Sequence, residues 1–75
     1  MAEEIRAAHR ALAWNVLDKR RAQQLTREEA AWRAELDARQ WARIEAGKGS
    51  PTLTTIVKVA VALGVAIGDL FAPIP

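Results

Sequence analysis

Apolar residues recur at helical intervals along most of the chain, and short polar stretches containing capping residues cut the pattern into five pieces. The first, over residues 5–23, lacks glycine and proline, is rich in Ala, Leu, Arg and Gln, and puts Ile5, Leu12 and Val16 at helical spacing. Thr26 opens a second helix over about residues 27–34: its hydroxyl can accept from a free backbone amide, while Glu29 reaches back to complete a capping box. Asp37 repeats the signal for a third helix, residues 38–46, in which Trp41 and Ile44 are the apolar pair and Gly47 marks the end. Residues 47–51, Gly-Lys-Gly-Ser-Pro, are the one concentrated loop, and Thr52 after them caps a fourth helix over 53–63 that Gly64 stops. β-branched residues are frequent there, yet Leu53, Ile56, Val57, Ala60 and Leu63 follow a helical stripe. A short fifth helix around residues 67–71 brings Leu70 and Phe71 to the core before Pro73 and Pro75 end regular structure. The expected fold class is all-α, a compact five-helix domain with short connections.

Composition narrows the function classes. A chain of 75 residues with 51% hydrophobic content supports one small core. The absence of cysteine excludes disulfides and thiolate metal sites, and a single histidine, His9, makes a poor zinc ligand set, so no metal and no cofactor are expected. The acidic start, Met1-Ala2-Glu3-Glu4, is unlike a secretory signal, and no apolar run approaches the ~20 residues of a membrane span. A cytoplasmic protein without membrane or small-molecule partners is the expectation. Glu28, Glu29 and Glu35 are helix-surface carboxylates with no nucleophile or phosphate loop beside them, which argues against an enzyme.

Net charge is only +2, so the placement of the basic residues matters more than their number. Lys58 is the only one after Lys48. Two short helices joined by a tight turn provide one helix to lie across a phosphate backbone and another to enter a major groove. With Trp41 and Ile44 inward, 100° per residue puts Arg39, Ala42, Arg43 and Ala46 on the other side of the third helix. Arg39 and Arg43 are one turn apart, and a guanidinium fork matches the O6 and N7 acceptors of guanine or grips a phosphate.

The ordered combination of Leu25-Thr26-Arg27-Glu28-Glu29-Ala30-Ala31, Leu36-Asp37, Trp41, Arg43-Ile44-Glu45 and Gly47-Lys48 to Pro51 resembles the Cro and phage-repressor class of helix-turn-helix proteins. This lambda-repressor-like class is also called the xenobiotic-response-element family. Residues 53–71, with Ala62-Leu63-Gly64-Val65 and Asp69-Leu70-Phe71, are similar to its fourth and fifth helices. The resemblance implies a helix-turn-helix domain over residues 12–72, an extension of helix one over 1–11 and a short tail over 73–75. It implies a sequence-specific transcriptional regulator of double-stranded DNA, a repressor working as a homodimer. Arg27 corresponds to a position that contacts phosphate or an outer base. Ala38, Arg39, Gln40 and Arg43 correspond to base-reading positions, and Lys48 to a backbone-touching loop. Arg20 and Glu45 correspond to a pair formed within the fold.

Departures from the family pattern are specific. Glu35 stands where a turn glycine is usual, which should disfavour a left-handed backbone and alter or strain the turn. Asp37 replaces a serine or threonine, and Lys19 a core leucine. Val61 replaces a charged residue; with Ile67, Leu70, Phe71 and Ile74 it makes the expected dimer interface. Trp14 and Trp32 fall off the apolar stripes. They either pack on arginine stems and the N-terminal extension or anchor a protein partner, and the alternative function is an antitoxin-like or anti-repressor interaction module built on the same fold.

Overall fold

The computed structural model describes residues 1–75 as four α-helices, α1 (Ala2–Ala22), α2 (Arg27–Arg33), α3 (Ala38–Glu45) and α4 (Leu53–Leu63), followed by a 3-10 turn over Ile67–Phe71, with no strand. The fifth expected helix is therefore a single tight turn. Between Gly64 and Pro73 there is room for little more, and Asp69 closes it locally: its carboxylate accepts the Ala66 N–H at 3.0 Å, and its own N–H donates to the Ala66 carbonyl at 3.0 Å.

The start signals operate as their chemistry predicts. Thr26 and Glu29 exchange bonds of 3.0 and 2.9 Å at the head of α2. Thr52 accepts the Thr55 N–H at 3.2 Å at the head of α4. All four α-helices end alike, with a left-handed residue followed by an N–H that bonds back five positions: Leu25 to Arg20, Leu36 to Ala31, Lys48 to Arg43 and Val65 to Ala60, at 2.9–3.2 Å. Glycine supplies the left-handed residue after α3 and α4. After α1 and α2 it is Gln24 (φ 57°) and Glu35 (φ 58°), so Glu35 does not abolish the turn and instead holds the glycine-like conformation under strain.

The core gathers Leu12 and Val16 of α1, Leu25, the alanine face of α2 (Ala30, Ala31 and Ala34), Trp41 and Ile44 of α3, Val59, Ala60 and Leu63 of α4, and Leu70. Alanines on α2 let the short helices approach closely around the one large side chain, Trp41, which is fully buried. Two expected stripes shift. Ile5 is 50% exposed because the first turns of α1 extend past the other helices, and on α4 the inward residue is Val59, leaving Leu53 at 70% exposure and Val57 partly exposed. Leu70 is wholly buried, which removes it from the expected dimer interface: as the last large core side chain it has no surface left to offer a second copy.

Asn15, a buried polar residue in mid-helix, explains how the C-terminal segment is held. Its amide nitrogen donates to the carbonyls of Ala11 (2.8 Å), Leu70 (3.2 Å) and Ala72 (2.9 Å). Gln23 makes a similar tie at the other end of α1, donating to the Leu63 carbonyl at 2.7 Å. No helix is long and apolar enough to cross a membrane.

Candidate nucleic-acid interface

On α3, burial of Trp41 and Ile44 turns Arg39 and Arg43 outward, with Ala46 exposed beside them and Ala42 half-buried. Ala38 lies three positions before Trp41, hence on its side of the helix, and its methyl packs against the core and not toward the outer face. Gln40 is exposed, but its carbonyl oxygen accepts the Asp37 N–H at 3.0 Å while Asp37 accepts the Arg39 N–H at 2.6 Å. The Asp37–Gln40 capping box thus leaves only the amide nitrogen of Gln40 free, and a two-bond grip on adenine would break the cap. Arg39 is almost fully exposed, 3.9 Å from the Asp37 carboxylate.

Arg43 folds along α3 toward the following loop. A Cβ built on Gly49 would sit 3.0 Å from the Arg43 terminal nitrogen, so the guanidinium occupies the space that the missing side chain leaves. Gly49 also has φ +72°, a left-handed conformation that favours glycine there. Gln40, Arg43, Lys48, Gly49, Ser50, Thr52 and Thr55 line an open groove of about 290 Å³ between α3 and the head of α4. Cationic groups and hydroxyls converge there, a donor-rich surface suited to a phosphate backbone.

Behind this face, Glu45 ties three helices together. Its carboxylate accepts from Arg20 of α1 at 2.6 and 3.1 Å, from Arg27 of α2 at 3.0 Å and from the Trp41 indole N–H of α3 at 2.6 Å. The Glu45 side chain is 3% exposed. Burial pushes its carboxyl up, but the bonds from Arg20, Trp41 and Arg27 outweigh that and hold it below its ordinary value. The same contact with Glu45 raises Arg20 against the opposing effect of burial. Arg20 and Glu45 sit together as the resemblance implies. Arg27, expected on DNA, belongs partly to this cluster: Nε is spent on Glu45, and its terminal nitrogens, on a half-exposed side chain, donate to no group of the protein.

Sequence reasoning passed over Gly49, Thr52 and Thr55 as parts of this face, although the Gly-Lys-Gly-Ser-Pro composition marked the loop. The expected interface residues other than Leu70 are exposed, but they are divided. Val61 lies on α4, whereas Phe71 and Ile74 line a groove against Ala7, Ala8 and Ala11 of α1.

A capped short helix, a strained tight turn and a second helix with an arginine-bearing outer face are the parts of a helix-turn-helix, and the sequence matches the helix-turn-helix domain family over residues 6–73. The chain belongs to the helix-turn-helix family. This helix-turn-helix chain is similar in structure to the restriction-modification controller protein C.AhdI from Aeromonas hydrophila. The two share 27% identity at a TM-score of 0.80, covering 84% of this chain and 96% of that one. It is also similar to a hypothetical transcription factor, NHTF, from Neisseria, with 32% identity and a TM-score of 0.84 over 88% of this chain and 76% of that one. The apo competence regulator ComR from Streptococcus vestibularis matches at 32% identity and a TM-score of 0.78, over 91% of this chain and 24% of that protein. No curated protein sequence matches significantly. Family and fold are those of DNA-binding regulators, as the likeness to the Cro and repressor class implies.

Proposed function

We propose that this helix-turn-helix protein is a sequence-specific, non-enzymatic transcriptional regulator in the cytoplasm, a repressor that acts by occupying its operator and reads the major groove with α3. The observation that carries the reading is the orientation of α3: burial of Trp41 and Ile44 leaves Arg39 and Arg43 outward beside the Lys48 loop. Arg39 and Arg43 read guanine edges, the free amide nitrogen of Gln40 contributes one further donor, and Lys48 and Arg27 grip phosphates. Ala38 acts by its small size, letting α3 approach. The likeness to a restriction-modification controller protein and to a hypothetical transcription factor supports a regulatory role.

One domain of this size makes few base contacts, and a homodimer doubles them across half-sites about 34 Å apart. Its interface centres on α4, where Leu53, Val57 and Val61 repeat every four residues on an exposed edge and Lys58 is the only charge, with Ile67 also exposed nearby in sequence.

Fluorescence anisotropy against duplex from upstream of its own gene and a shuffled duplex, across a salt series, tests the function. Preference for the native duplex by about 10³-fold, with a steep negative salt slope, is the expected result. Equal weak binding to operator candidates and shuffled DNA overturns specific recognition.

A further inference from the structure

Trp32 is 82% exposed, so it neither stacks on an arginine stem nor packs on the N-terminal extension. Trp14, at 41%, differs: it shares a groove with Arg10, Ala13 and Ile74. The placement of Trp32 follows from the α2 sequence. Ala30, Ala31 and Ala34 form the buried face, and 100° per residue carries Trp32 and Glu29 to the opposite side, with Glu28 on the flank one turn before Trp32. Glu28, Glu29, Trp32 and Arg33 line one shallow groove, and the exposed Glu35 follows at the turn, its backbone N–H on the Trp32 carbonyl at 3.1 Å. Three carboxylates (28, 29, 35) against one guanidinium (33) give this patch −2, in a chain of +2.

The charge selects the ligand. A carboxylate-rimmed indole repels phosphate, which disfavours DNA and anionic membrane surfaces on this part of α2. The π face of an indole attracts a cation, and arginine suits both parts of the patch: its plane stacks on the ring while its edge forks to a carboxylate. Size selects the form of the partner. One indole and its rim provide far less than the ~800 Å² per partner of a stable interface, so the occupant is a short segment, held weakly around one anchor. Of a second copy's arginines, Arg6 and Arg10 are paired with Glu3 and Arg39 and Arg43 occupy the outer face of α3, which leaves exposed Arg21 as the competitor that the dependence on protein concentration below tests.

We infer that the outer face of α2 is a docking site for a short arginine-bearing segment of another protein, with Trp32 as the stacking anchor and Glu28 and Glu35 as its charge partners. This site stands apart from the DNA reading. It is opposite in charge to the α3 face, and the test below is made on the protein free of DNA.

The probe is a panel of twelve-residue synthetic peptides carrying arginines among small residues, with lysine, neutral and glutamate counterparts, titrated into the free protein. The indole N–H signals are followed by NMR. Arginine peptides are expected to shift the Trp32 signal saturably with Kd below about 1 mM, leaving the buried Trp41 signal in place. Trp32→Ala should weaken binding by about tenfold or more without changing thermal unfolding or DNA affinity. The double variant Glu28→Gln, Glu35→Gln, which spares the Glu29 cap, should weaken it several-fold. No saturable shift with any arginine peptide, equal binding of glutamate peptides, or a Trp32 signal that moves with protein concentration alone overturns the proposal.

Discussion

At the residue scale, the strained positions are the ends of α1 and α2, where Gln24 and Glu35 hold the left-handed conformation that Gly47 and Gly64 hold freely. Glu35→Gly removes about 1–2 kcal/mol of steric strain and adds back some unfolded-chain entropy, leaving a gain of about 0.5–1 kcal/mol. Calorimetry should find the melting temperature raised by a few degrees. Glu45 is the opposite case, a residue whose loss spreads. Glu45→Ala leaves Arg20 without its main partner in a buried site and should cost about 3 kcal/mol in urea unfolding. Because the Glu45 carboxyl lies below its ordinary value when folded, its contribution is fully present above the unfolded carboxylate value of about 4.3 and is lost as pH falls through the lower folded value. Urea midpoints should therefore hold level from pH 7 to about 5 and fall below that, and Glu45→Gln should fall less steeply.

At the element scale, α3 and the loop after it act as one piece, because Arg43 lies in the space above Gly49. Gly49→Ala must displace that guanidinium and strain a positive φ, so DNA affinity should drop by several-fold in anisotropy while helix content by circular dichroism is kept. The sequence made α2 and α3 legible through one capping box, a capping Asp37 and a clear apolar spacing, whereas the bond from Gln40 that completes a second box shows only in the structure. α4 was less so. Its eleven residues are mostly apolar on every side, and periodicity alone could not choose between the face of Val59 and that of Leu53 and Val57. α1 hid a different feature. Nothing local in the sequence tells that Asn15 bonds carbonyls more than fifty positions away. Asn15→Ala leaves the buried Leu70 carbonyl and the partly buried Ala72 carbonyl without this donor and should destabilise by about 2 kcal/mol, read as a lower urea midpoint.

At the scale of the whole molecule, an apolar C-terminal half poses a question that pattern reading cannot answer: whether a given side chain packs inside one copy or between two. Leu70 went inside, and Leu53, Val57 and Val61 stayed out. Since these three line one edge of α4, Val61→Glu should turn the proposed dimer into a monomer by sedimentation and weaken binding to the proposed operator by tenfold or more, with thermal unfolding little changed. The site residues were legible in the same uneven way. The outward arginines of α3 follow from helical geometry, but the claim of Glu45 on Arg27 depends on three helices meeting, which no single segment encodes.

The junction at Glu45 has a kinetic consequence. With α1, α2 and α3 fastened to a single carboxylate, the proposed reading helix is held in place before any encounter with a duplex. Encounter should be single-step and limited by diffusion and ionic strength, with no lag and no plateau in observed rate as duplex concentration rises, and differences between cognate and altered sites should emerge almost wholly in how long the complex lasts.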